Sequence, residues 1–151
     1  MYKSYKKRNI GFFEWGFIAF FVLFYPLLVS IYTLLPPLIG IAGLVIIYNF
    51  EKSVIYTLAG MLYLFNLDLN LSLPLMLSIF SIVLVNVFIY PTTKLMIRCK
   101  VCLALFLIVI INGFYYINLF LYDIVLDTHT VVADSMLAFY ILVDIIIGLL
   151  L

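Results

Sequence analysis

From residue 12 to residue 35 the chain runs through apolar side chains broken by a single charge, Glu14. At about 1.5 Å per residue, a helix over that stretch covers the roughly 30 Å hydrocarbon core of a bilayer. Runs of the same character recur at about 71–90, 101–122 and 131–151, and a single buried core helix would not account for the repetition. Hydrophobic residues make up 68% of the chain and charged residues 10%, against about 45–50% and about 25% in an average soluble domain. A soluble chain so composed lacks the polar residues to cover its surface. The chain of 151 residues is therefore read as one domain, an all-α, polytopic integral membrane helix bundle whose main partner is the lipid bilayer. Its net charge of +1 gives no overall field for nucleic acid.

Lys3, Lys6, Lys7 and Arg8 precede the first apolar run, as in a secretory signal. The run continues to Leu35 with no small-residue cleavage site behind it, so an uncleaved signal anchor is expected. Trp15 and its neighbouring phenylalanines suit an interfacial aromatic belt. Pro26 predicts a kink, and Pro36-Pro37 ends the helix, with Pro37 suited to the first turn of the next. Segments two and three, at about 37–48 and 53–65, have the length of re-entrant or interfacial pieces. Joining them into one helix would bury Asn49, Glu51 and Lys52 at mid-membrane, which is costly.

Charge sorting orders these pieces. With about six transmembrane helices and a cytoplasmic N-terminus, all eight Lys and Arg residues fall on the cytoplasmic side. Asp68, Asp123, Asp127 and Asp134 fall on the other, following the positive-inside rule. Both termini are then cytoplasmic. Merging segments two and three into one crossing would move Lys94, Arg98 and Lys100 outside, whereas a re-entrant pair would preserve the order.

Asp144 is the only acid deep in an apolar run. An ionised carboxylate there costs several kcal/mol, so it should be protonated or hydrogen-bonded within the bundle. Counted from the cytoplasmic ends, Asn86 and Asp144 both lie roughly 10 Å deep, which predicts a bond between helices four and six. Helix association is the plainer role for Asp144; a proton relay or substrate site is the functional alternative, although relays use several acids and here there is one. Asn112, Ser78 and Ser81 are read as interhelical donors, and Glu14 as a helix-start acid. Gly40, Ala42 and Gly43 give helix two a small-residue packing surface. Cys99 and Cys102 match C-x-x-C, read as a chance spacing at a cytosolic helix start. Asp127, His129 and Asp134 could hold a metal weakly, but a solvated loop is the simpler reading. No motif for catalysis or a cofactor is present.

The order of Pro37, the turn Asn49-Phe50-Glu51-Lys52, Gly60, Asp68, and Ser78 with Ser81 resembles the bacterial rod shape-determining MreD family. Members show a proline opening a short second helix, a glycine in the third and an Asp at its outer end. Where that family usually has glycines around the Asp, this chain has Leu64-Phe65-Asn66-Leu67 and Leu73-Pro74. The resemblance covers residues 37–88 and the general layout. It implies a non-enzymatic protein of the bacterial inner membrane that acts in cell elongation with an MreC-like partner. It also implies a fold similar to the substrate-binding membrane subunits of vitamin transporters. A small transporter is the competing expectation, with a polar cavity facing outward near Asp68, Asn70 and the 123–134 loop. A lipid-acting enzyme ranks last.

Overall fold

The computed structural model describes residues 11–32, 34–50, 52–127 and 135–150. They form six helices and no strand: α1 Phe12–Ile31, α2 Ile39–Asn49, α3 Val54–Asn70, α4 Leu77–Met96, α5 Lys100–Leu126 and α6 Ser135–Leu150. Within the described residues, α1, α4 and α5 are long and apolar enough to cross a membrane, and α2 and most of α6 are apolar but shorter.

The helix ends differ from those expected, for local reasons. The first helix stops at Ile31 rather than residue 35, and Tyr32 is already extended, because a residue ahead of a proline is driven out of the helical region and Leu35 and Pro36 both precede one. Pro37 does not open α2. Leu38 takes a left-handed backbone, φ 50°, and α2 starts one residue later at Ile39. α3 runs on to Asn70 and carries Asp68 in its last turns. α4 begins at Leu77 rather than 71, behind Pro74 and left-handed Ser72 and Met76. It then continues past Pro91 through a π turn, Val85–Ile89, where the Tyr90 amide bonds to the Val85 carbonyl. The wider turn admits a proline ring that would clash in a regular helix.

α2 is the centre of the bundle. It packs on α3, α5 and α6 and touches α4, while α1 lies along α3 and α5 also packs on α4 and α6. Ile46, Leu64, Leu67, Ile82, Val85, Leu107 and Ile111 form the core. Close approach depends on glycines: a Cβ on Gly43 would lie 2.9 Å from Ile111 Cδ1, and one on Gly60 would lie 2.7 Å from Ile46 Cγ1. Outward, the helices expose Phe17, Phe20, Phe88 and many leucines, a surface that suits lipid better than water.

Pro26 is buried inside α1 and has no N–H to give the Val22 carbonyl. Asn66 of α3 supplies the missing donor, with its Nδ2 3.0 Å from Val22 O and 3.2 Å from Leu23 O. Asn70 in turn donates to Asn66 Oδ1 at 2.9 Å. Thus the proline that interrupts α1 also fixes where α3 docks. Asn66→Leu should lower stability by about 1 kcal/mol, measured by thermal unfolding in detergent. In a Pro26→Ala background, where the backbone supplies its own donor, the same change should cost less. Equal costs in the two backgrounds would remove Asn66 from this role.

Candidate functional site: the capped break before α2

The described residues between α1 and α2, 32 and 34–38, are not helical, so their peptide groups need partners from elsewhere. Pro36 and Pro37 reduce the demand by removing two donors. Their carbonyls are met by two tyrosines: Tyr25 of α1 donates to Pro36 O at 2.9 Å, and Tyr63 of α3 donates to Pro37 O at 2.7 Å. The first amides of α2 also lack intrahelical acceptors. Asp144, reaching from α6, takes the Gly40 N–H on Oδ2 at 2.9 Å. Asn112 of α5 donates to the same oxygen at 3.0 Å and to its own Ile108 carbonyl at 3.1 Å. Asp144 and Asn112 are both fully buried, at 2% exposure each.

Gly40 is required by space. A Cβ there would lie 2.5 Å from Asn112 Nδ2 and 2.8 Å from Asp144 Oδ2. The absent side chain therefore lets two other helices bond to the start of α2. Tyr25, Tyr63 and Tyr116 stand around Asp144.

The same device recurs at the start of α4. Asp68 is completely buried and accepts from the Ser78 hydroxyl and from the Ser78 amide at 3.4 Å. Ser81 receives the Asn118 amide at 2.8 Å, tying α4 to α5. In both places an Asp side chain from another helix meets the second amide of a helix whose cap residue, Leu38 or Met76, is left-handed.

Of the residues singled out by sequence, Asp144 and Asn112 meet, and Asp68 meets Ser78. The expected Asn86–Asp144 bond is not formed. α6 packs on α2 and α5, so Asp144 is presented to Gly40 and Asn112 while Asn86 sits half-buried on the π turn of α4. His129 and Asp134 lie outside the described residues. Within those residues no three of His, Cys, Asp and Glu come together to hold a metal. Cys99 and Cys102 are free and exposed. Cys99 caps α5, its sulfur 3.5 Å from the Cys102 amide. Hydrogen bonds from the Cys102 thiol and amide hold the Cys99 thiol below the ordinary thiol range.

Gly40 serves the close packing expected of it, whereas the bond to its amide and the roles of Tyr25, Tyr63, Asn66 and Asn118 carry no signal of their own in the sequence. Only the Pro-Pro pair signals that backbone groups there need outside partners. An apolar groove of about 330 Å³ opens beside the break between Phe17, Phe21, Ala42, Tyr63 and Ile147. Asp68, beside which a transporter would place a polar cavity, is enclosed by Ser78 and the protein interior, and residues 128–134 of the loop expected to line that cavity lie outside the described residues.

Gly40→Ala should destabilise by about 2 kcal/mol or more, since it overpacks the junction and parts its hydrogen bonds. Gly113→Ala meets nothing within 4 Å and should instead stabilise by about 0.5–1 kcal/mol. A double-mutant cycle on Asn112 and Asp144 should give a coupling of about 0.5–3 kcal/mol, and one on Asn86 and Asp144 should be additive within about 0.5 kcal/mol. Iodoacetamide should alkylate Cys99 ahead of Cys102, as read by peptide mass spectrometry. Protein-family models, curated proteins and solved structures contain no match to this chain, so its function has to be argued from these residues.

Proposed function

We propose that this chain is a non-catalytic, multi-pass protein of the bacterial inner membrane, an MreD-like scaffold of the cell-elongation machinery that binds an MreC-like partner. Six crossings with both ends cytoplasmic put Lys52, Lys94, Arg98 and Lys100 on one face, as the positive-inside rule asks. α2 then covers only about 16 Å of its crossing, and residues 34–38 extend it without helix. Irregular backbone is tolerated in hydrocarbon where protein groups satisfy it, and Tyr25, Tyr63 and Asp144 supply those groups.

The observation that carries the scaffold reading is the use made of the buried acids. Asp68 and Asp144 are both committed to helix starts, and the exposed faces of the helices are mostly apolar side chains. Such a molecule offers helix faces to other membrane proteins. The transporter reading draws on one specific feature, the broken α2, since interrupted helices are where transporters bind substrate.

Depletion in the native rod-shaped cell should give round cells, and an MreC-like protein should co-purify in mild detergent. Normal shape in a clean deletion ends the scaffold reading. Lys52→Cys should react with an impermeant maleimide from the cytoplasmic side alone, and reaction from the opposite face would overturn the topology.

A further inference from the structure

Asp144 uses only half of its carboxyl group. Oδ2 accepts both the Gly40 amide and the Asn112 amide. Oδ1 has no hydrogen-bond partner and less than 1 Å² of accessible surface. We propose that Asp144 is a hydrogen-ion binding site, with a resident proton on Oδ1 at the start of α2.

Space selects the ligand. A sphere the size of water cannot touch Oδ1, so neither a water molecule nor a metal ion with its ligands fits there. A proton needs only the length of an O–H bond. The division of labour within the carboxyl group agrees. In an un-ionised acid one oxygen is a carbonyl that accepts, as Oδ2 does twice, and the other is a hydroxyl. An ionised Asp144 would instead leave an anionic oxygen enclosed with no donor, and that is costlier than an enclosed hydroxyl without an acceptor. The amides at the start of α2 favour negative charge, but they reach Oδ2 and not Oδ1.

Among the described residues the surroundings provide no counter-charge. The titratable groups facing Asp144 are Tyr25 of α1, Tyr63 of α3 and Tyr116 of α5, with Tyr140 one turn earlier on α6. α2 contributes only Tyr48, at its far end. Tyr25 and Tyr63 have their hydroxyl protons on the proline carbonyls. Lys52, Lys94, Arg98 and Lys100 are all exposed. Loss of the proton therefore puts an uncompensated charge into the junction of α2, α5 and α6. Ionisation and separation of α2 from α6 are coupled, which makes the junction a proton-sensitive joint whether or not the chain is a scaffold.

Infrared spectroscopy of the full chain in phosphatidylcholine vesicles, with carbon-13 in the aspartate carboxyls, reads an un-ionised acid through its C=O stretch. At neutral pH the wild-type protein should show that band. It should be lost in Asp144→Asn, kept in Asp68→Asn, and unchanged when sodium chloride replaces choline chloride. Asn112→Leu removes one hydrogen bond to Oδ2 and should shift the band upward, which assigns it even if Asp144→Asn does not fold. Ionised-carboxylate bands alone at neutral pH, a band indifferent to both Asp144→Asn and Asn112→Leu, or loss of the band on adding sodium would each overturn the proposal.

Discussion

The bond from the Gly40 amide to Asp144 is the constraint on which the bundle turns. It joins the start of α2 to α6, two elements far apart in sequence, and Asn112 brings α5 to the same oxygen. α2 is the helix that contacts most of the others, so fixing its start fixes the centre of the molecule. A helix of eleven residues is too short to be held by its own hydrogen bonds. Its position comes from its neighbours, and the neighbours reach it because Gly40 and Gly43 have no side chains to hold them off.

Three interruptions near the centre of the bundle each bring in a side chain from another helix. Pro26 frees the Val22 carbonyl and Asn66 occupies it. Pro36 and Pro37 leave carbonyls that Tyr25 and Tyr63 fill. Pro74 and left-handed Met76 precede a helix start that Asp68 caps. A left-handed Leu or Met costs roughly 1–2 kcal/mol, and a typical intramolecular hydrogen bond contributes about 0.5–1.5 kcal/mol. The two are of similar size, so the caps offset the strain of the breaks they serve. In an interior with few polar groups, these pairings also specify which helix lies beside which, because apolar contacts alone discriminate weakly among partners.

Helix placement was legible in the sequence because hydropathy reports it directly. The apolar runs located all six helices, and Asp144, Asn112 and Asp68 stood out because they interrupt those runs. Partnership was not legible. Depth along a helix can be counted from its ends, and that count paired Asn86 with Asp144, but depth says nothing of which way a residue faces round the axis. α6 turned Asp144 toward α2 and α5, and its partner on α2 is a peptide N–H that no side-chain pattern reveals. The ends of helices one, two and four were misplaced for a related reason. Prolines mark a break, but the left-handed Leu38 and Met76 that set where the next helix begins carry side chains with no preference for that conformation.

Why position 144 holds an acid follows from the same accounting of donors and acceptors. An asparagine would present a carbonyl oxygen to Gly40 and Asn112 as well as the acid does. It would also place two amide hydrogens where Oδ1 now sits, in a space with no acceptor and no room for water. An un-ionised acid leaves a single hydroxyl there, and an apolar residue would leave both the Gly40 amide and the Asn112 amide without an acceptor. Of the side chains that reach this point, the neutral carboxylic acid leaves the fewest groups unpaired. A group kept for that reason still carries a removable proton, and so a solution to a packing problem brings with it a sensitivity to ionisation at the one junction that orders the bundle.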